Sequence, residues 1–288
     1  MTVARDPKEL EPARRAAAIG TFDGVHCGHR RVLEAARAAG LRPTVVTFDP
    51  HPRTAFGAQI ELLVPLRRRL ELLQEAGIED VLVLRFDEAL AALTPEEFAA
   101  NVLRAAGIDV VTAGDGFRFG RGRTGDLSSL ARLGFDVRPV PLVDNVSSSH
   151  IRALLNAGEV TAAAKLLGRP PEVEGIVVHG DHRGRTLGFP TANLDTPAGV
   201  LVPKLGIYAG FTHGHRAAIS IGTNPTYGGV ERRAEAHLLD FDGDLYGRRL
   251  VVELWQHLRD EAKFTSEAEL VEAIAADCGR ARTADRPG

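Results

Sequence analysis

Two imidazoles stand three residues apart where a short apolar run meets a glycine-rich turn. Ala18-Ile19 leads into Gly20-Thr21-Phe22-Asp23-Gly24-Val25-His26-Cys27-Gly28-His29, and a helix-forming stretch follows over residues 30–39. This order predicts a strand, a tight turn and a helix N-terminus carrying His26 and His29. The first N–H groups of a helix lack intrahelical partners, and the helix dipole adds to their pull on anions. Gly20 and Gly24 allow backbone to approach a phosphate closely. Each imidazole can donate to a phosphate oxygen and gains charge cheaply near neutral pH. Cys27, the variable residue between the histidines, reads as a packed and inert thiol.

Other stretches carry donors suited to phosphates. Ser147-Ser148-Ser149-His150-Ile151-Arg152 supplies hydroxyls and a guanidinium fork that match the outer phosphates of a nucleotide. Without Arg152 the serine run would read as a loop or helix cap. Asp49, in Thr47-Phe48-Asp49-Pro50-His51-Pro52, serves equally well as a turn cap or a functional carboxylate. Gly180-Asp181-His182-Arg183-Gly184-Arg185-Thr186-Leu187-Gly188-Phe189-Pro190-Thr191-Ala192-Asn193 forms a glycine-rich loop. Its Arg183 and Arg185 are placed to steady phosphates, and Gly184 and Gly188 let it fold.

The elements that must position these groups change character part-way along the chain. Residues 44–48, 81–84 and 110–113 read as buried strands. Residues 65–76 and 94–106 between them read as helices, the second opened by the capping box Thr94-Pro95-Glu96-Glu97. Such alternation predicts a parallel sheet with helices on both faces. Ligands in these folds sit at the carboxyl ends of strands, where the Gly20, Asp49 and Gly114 turns fall. A helix over 160–167 stops at Gly168-Arg169-Pro170-Pro171, which predicts a domain boundary there. The expected division is 1–168, 169–280 and a disordered tail over 281–288. Short β-rich runs at 173–178, 207–211, 217–221, 234–241 and 250–255 predict an antiparallel barrel or sandwich. Asp242-Gly243 is a hairpin signal. A last helix begins near Ser266, with Glu269 three residues on, and runs to about residue 276.

Composition narrows the class. A chain of 288 residues with 25% charged residues and a net charge of −3 is an ordinary globular composition and argues against a nucleic-acid partner. No apolar run is long enough to span a bilayer, so no membrane partner is expected. Asp6, Glu9 and Glu11 precede the first apolar stretch, which does not read as a signal peptide. The two cysteines, Cys27 and Cys278, form no Cys-x-x-Cys and suggest neither disulfide framework nor zinc site. A cytoplasmic enzyme is the resulting expectation.

In order along residues 18–276, the chain resembles the bacterial bifunctional riboflavin kinase/FAD synthetases of the HxGH nucleotidyltransferase superfamily. The blocks that carry the resemblance are Gly20 to His29, Thr47 to Pro52, Gly116-Phe117-Arg118-Phe119-Gly120, Ser147 to Arg152 and Gly180 to Asn193. The implied fold is α/β plus β: an N-terminal Rossmann-like HxGH nucleotidyltransferase domain followed by a C-terminal antiparallel β-barrel flavokinase domain with a terminal helix. The implied activities are phosphorylation of riboflavin to FMN and adenylylation of FMN to FAD with release of pyrophosphate. Narrower alternatives are a flavokinase beside a weakened adenylyltransferase and a flavin-binding regulatory protein without turnover.

By the same resemblance, His26, His29 and Arg152 are catalytic for adenylyl transfer, and Glu235, in Glu235-Ala236-His237-Leu238, is the kinase general base. Gly20, Phe22, Asp23, Gly24, Asp49, Phe117, Arg118, Ser147, Ser148 and Ser149 bind substrate in the first domain. Gly180, Arg183, Arg185, Gly188 and Arg259 do so in the second. Thr191 and Asn193 are the implied ligands of Mg²⁺, with ATP as co-substrate. Asn224, Tyr227 and Tyr246 lie near turns, where they touch ligand or fill the barrel. The implied partners are the small molecules riboflavin, FMN and ATP, with weak homo-oligomerisation left open. Three residues depart from the family pattern: Gly116 where Asn or Asp is frequent, Ser149 where Thr is usual, and His150 where Arg is common. The short N-terminus implies a missing first strand or lid segment.

Overall fold

A computed structural model of the chain describes residues 1–180, 183–226 and 229–288, with side chains also left aside at 183, 185 and 224–231. Contacts divide it into two units, residues 1–60 with 65–146 and residues 61–64 with 147–288.

The first unit is built on β1 (Thr2–Ala4), β2 (Arg15–Ile19), β3 (Arg42–Phe48), β4 (Asp80–Leu84), β5 (Ile108–Gly114) and β6 (Asp136–Val140). All pair in parallel, in the order β1-β4-β3-β2-β5-β6. β2 and β4 are buried along their whole length, as strands covered on both faces must be. Around the sheet run α1 (Cys27–Arg37), α2 (Pro52–Ala55), α3 (Leu66–Glu75), α4 (Glu88–Ala92), α5 (Pro95–Phe98) and α6 (Leu127–Arg132). The Thr94 capping box forms with Glu97, but the helix it opens passes into a π-helical stretch over Ala99–Arg104. Chain progression reverses direction across the sheet at β2, whose neighbours are β3 and β5. The turn leaving β2 therefore enters the crevice where such sheets take ligands. The first strand expected to be missing is present, since β1 pairs with β4.

The second unit contains α7 (Ser148–Ala157), α8 (Val160–Leu167), β7 (Glu172–Val178), α9 (Arg183–Thr186), β8 (Ala192–Asp195), β9 (Gly206–Thr212), β10 (His215–Thr226), β11 (Gly229–Leu238), β12 (Arg249–Arg259) and α10 (Glu267–Thr283). Its strands close an antiparallel barrel in the order β10-β11-β8-β7-β12-β9. Ile151, Leu155, Val160, Ala163 and Leu167 share one core with Leu194, Ala217 and Leu254. By packing, α7 and α8 join the barrel core, so the compact units divide at 146/147. Gly168 does end α8 in a left-handed cap, but a helix stop does not decide which core the helix joins.

Two further expectations are corrected. Asp242-Gly243 does not close a hairpin, because β11 and β12 are not neighbours in the barrel. A two-residue hairpin does form at His213-Gly214, between β9 and β10, with φ of 51° and 84°, as a type I′ turn requires. Residues 281–288 are not a disordered tail. α10 runs on to Thr283, Ala281 and Ala284 are buried beside Trp255, and Arg286 makes a two-pronged pair with Glu253. Among the described residues no helix is long and apolar enough to cross a membrane.

Candidate active site

In the first unit the turn after β2 is shaped by left-handed backbone at Phe22, Gly24 and Val25. It delivers His26 as the N-cap of α1, where Nδ1 accepts the His29 N–H at 3.2 Å. In the neutral ring that bond leaves the proton on Nε2, which is then a donor. The His26 and His29 rings stack with centroids 3.5 Å apart, and Phe22 meets His29 edge-on at 5.2 Å. Gly28 is dictated by this arrangement, since a Cβ there would lie 3.2 Å from the His26 ring. α1 is held down by Val32, Leu33 and Ala36 in the core, and by Thr112 Oγ1 donating to Val32 O at 3.1 Å.

Burial, the neighbouring His26 and the Arg69 guanidinium hold the His29 pKa well below the usual imidazole value. The shift favours the uncharged ring at His29. Its Nδ1 is buried without a hydrogen-bond partner, the kind of orphan a ligand satisfies.

The other first-domain candidates are placed as follows. Gly20 N–H donates to Val46 O at the end of β2. Asp23 is 1% exposed, inside the turn. Asp49 N–H donates to Leu84 O, and its carboxylate lies 3.8 Å from Arg5. Phe117 stacks on Phe119 at 5.6 Å, and Arg118 donates to Asp126 at 2.8 Å. A Cβ at Gly116 would meet nothing within 4 Å, so the family's larger side chain fits there. In the second unit, Ser147 caps α7 by accepting the His150 N–H, Ser148 and Ser149 form its first turn, and Arg152 Nε donates to Glu61 O at 2.7 Å.

The barrel gathers a second constellation. β8 pairs with β11 so that Asn193 lies opposite Glu235, and Thr191 Oγ1 donates to Glu235 Oε2 at 3.2 Å. Gly180 packs against the Asn193 amide, where a Cβ would sit 2.5 Å from Nδ2. Thr191 and Asn193 line a cavity of about 460 Å³ with Gly184, Asp242, Asp244 and Tyr246. Gly188 takes φ of 86° with open space around its Cα. Arg259 forks onto Asp277 of α10, with Nη2–Oδ2 at 2.7 Å, and lies over the Phe264 ring. Its guanidinium is engaged by the helix rather than by the cavity. Asp181, His182 and Tyr227, with the side chains of Arg183, Arg185 and Asn224, lie outside the described residues.

Curated relatives agree over nearly the whole chain. A bifunctional riboflavin kinase/FMN adenylyltransferase of Listeria monocytogenes is 35% identical, over 93% of this chain and 92% of its own. The protein of the same description from Escherichia coli K12 is 39% identical, over 90% and 89%. This chain belongs to that family. Within the bifunctional riboflavin kinase/FMN adenylyltransferases, the FAD synthetase model matches residues 8–152 and the riboflavin kinase model residues 167–284. A solved structure described as a macrolide-efflux protein from Streptococcus pneumoniae is 31% identical. It covers 98% of this chain and 99% of its own, with a TM-score of 0.89.

The structure also brings forward residues that sequence reasoning missed. His237 Nδ1 lies 2.8 Å from Pro190 O, tying the Thr191 loop to β11. The buried alternation Ala234, Ala236, Leu238 puts His237 on the same strand face as Glu235, a signal present in the sequence. His179 packs on Tyr246 with ring centroids 4.0 Å apart, at the cavity wall. Arg69 is 2% exposed beneath the first-unit turns. It lies in a run of three arginines whose sequence gives each the same appearance.

Proposed function

We propose that the barrel unit phosphorylates riboflavin to FMN and that the sheet unit adenylylates FMN to FAD, each with ATP. The relatives' activities support both steps, and the Thr191–Glu235–Asn193 convergence is the observation that carries the kinase reading. In that reading ATP occupies the cavity of about 460 Å³. A second cavity of about 610 Å³, lined by Thr186, Leu187, Phe264 and Leu270, offers the apolar wall a flavin ring needs. Gly184 faces the first cavity and Thr186 the second, so α9 lies between the two substrates. Glu235 accepts the proton of the ribityl 5′-hydroxyl as its oxygen bonds to the γ-phosphorus, and ADP leaves.

The donors near Glu235 fit a divalent metal. Thr191 hydroxyl and Asn193 amide oxygen are hard oxygen groups, and Gly180 keeps room beside the amide. Among the described residues no group of three or more His, Cys, Asp and Glu is assembled to hold a metal. Hard oxygen donors of this kind suit Mg²⁺, which binds through few protein groups together with substrate phosphates. Bound there, it would neutralise charge on the transferring phosphates.

For adenylyl transfer, a phosphate oxygen of FMN attacks the α-phosphorus of ATP and pyrophosphate departs. No protein nucleophile is required; position and fixed donors carry the reaction. His26 and His29 donate to α-phosphate oxygens from the helix N-terminus. Dependence on metabolic ATP supports a cytoplasmic setting. The test is a time course of riboflavin with Mg-ATP: FMN must appear first, then FAD with equimolar pyrophosphate. FMN accumulating without FAD would leave only the kinase.

A further inference from the structure

We propose that Arg69 is a positioning residue for adenylyl transfer, fastening the turn that carries His26 and His29 to the turn that carries Asp49. The inference rests on the adenylyl-transfer reading of the first unit and names what holds its parts in register.

Arg69 lies on α3, on the face that also buries Leu72 and Leu73. Arg67 is 69% exposed and Arg68 14%, so helix geometry grades the run of three arginines, and Arg69, with Leu72 and Leu73, turns furthest inward. Arg69 Nη1 donates to Thr21 O at 2.7 Å and Nη2 to Phe48 O at 3.2 Å. These carbonyls lie just beyond β2 and at the last residue of β3, where the chain leaves the sheet toward the two turns. Thr47 Oγ1 also donates to Thr21 O, at 3.1 Å. Asp23 and Asp49 face the guanidinium with opposite charge.

A guanidinium with 2% exposure carries a desolvation penalty that must be offset by its partners. Here the partners are main-chain oxygens of two separate strands, which a rigid planar fork can span at once. A lysine ammonium lacks that fork. With Nη1 and Nη2 both committed to main-chain carbonyls, Arg69 acts through the two turns. Its effect is on geometry: His26, His29 and the turn amides must meet the α-phosphate within a fraction of an ångström.

The test uses Arg69→Met and Arg69→Lys in the full chain, assaying both reactions on one preparation. Rates are normalised to folded first unit by amide hydrogen exchange of the buried strands β2 and β4. The expected result is a fall in kcat for FAD formation of about 100-fold in Arg69→Met, the scale of a 1 Å misplacement. Arg69→Lys should regain no more than about a tenth of the wild-type rate, since charge without the fork cannot hold both carbonyls. KM for FMN and riboflavin phosphorylation should stay near wild type. Wild-type kcat per folded molecule in Arg69→Met, or full recovery in Arg69→Lys, would overturn the proposal. A loss accounted for wholly by the unfolded fraction would reduce Arg69 to a stability role and overturn it equally. His29→Ala, run in parallel, separates the two ideas: normal FAD synthesis by that variant would defeat the underlying reading, whatever Arg69 does.

Discussion

Thr191 donates its hydroxyl hydrogen to Glu235 across the β8–β11 pairing, at 3.2 Å. The contact fixes the carboxylate beside the Asn193 amide and in reach of the adjoining cavity. A half-buried strand glutamate would otherwise sample several rotamers, so this bond gives the position a defined chemistry.

Replacing Glu235 with Gln keeps an acceptor for Thr191 but removes the proton acceptor. FMN formation should fall by about 10² to 10⁴, the range for a general base, while FMN-to-FAD conversion continues. Chromatography of products from riboflavin and from FMN checks both halves; loss of both reactions would contradict separate sites.

Replacing His29 with Ala should have the reverse effect. One fixed donor to developing charge is worth about 10² to 10³ in rate, so FAD formation should drop by that amount with riboflavin phosphorylation intact. Pyrophosphate release, followed continuously, is the direct measure.

The lowered pKa of His29 has a pH signature. In the unfolded chain the imidazole titrates near about 6.5, whereas in the fold it stays neutral to much lower pH. Below that value the unfolded state therefore binds more protons, and stability of the first unit declines as pH falls. The slope from this one group is at most about 1.4 kcal/mol per pH unit, and its contribution is complete above the unfolded value. Urea midpoints at several pH values, with His29→Gln as the flatter control, would show it. An NMR titration placing His29 at the usual imidazole pKa would exclude it.

Gly180→Ala tests the Asn193 contact. A Cβ 2.5 Å from the amide must displace either the loop or Asn193. The expected outcome is a raised KM for ATP in riboflavin phosphorylation with adenylyl transfer unaltered; an unchanged KM would mean that the amide position is irrelevant.

Ala281→Asp tests the packed carboxyl end. Ala281 is fully buried with Trp255, so a carboxylate there should destabilise the barrel unit by about 3 kcal/mol or more. Thermal unfolding that matches wild type would return residues 281–288 to the status of a loose tail.

What was legible in the sequence was local. Period-3.6 and buried-strand patterns gave the parallel sheet; α8 was read at its observed bounds; Ser266 and Thr94 capped where their hydroxyls implied; and the Gly20–His29 turn falls at a strand end. The misreadings concerned contacts between distant segments. Asp242-Gly243 has hairpin chemistry, yet a turn signal does not say which strands pair, and closure of the barrel places β8 and β7 between β11 and β12. Residues 281–288 look polar and frayed until Ala281 and Ala284 meet Trp255.

Taken alone, the sequence determined the two kinds of architecture, the phosphate-directed turn with its paired imidazoles, and the order of motifs that marks the family. Local rules suffice for these, because backbone propensity, glycine placement and helix capping act over a few residues. Tertiary structure decided which arginine of 67–69 is buried, which carboxylate gains a hydroxyl partner, and that the uncharged ring is favoured at His29. Those outcomes depend on desolvation and on partners far away in the chain, and neither is fixed until the sheet and the barrel have closed.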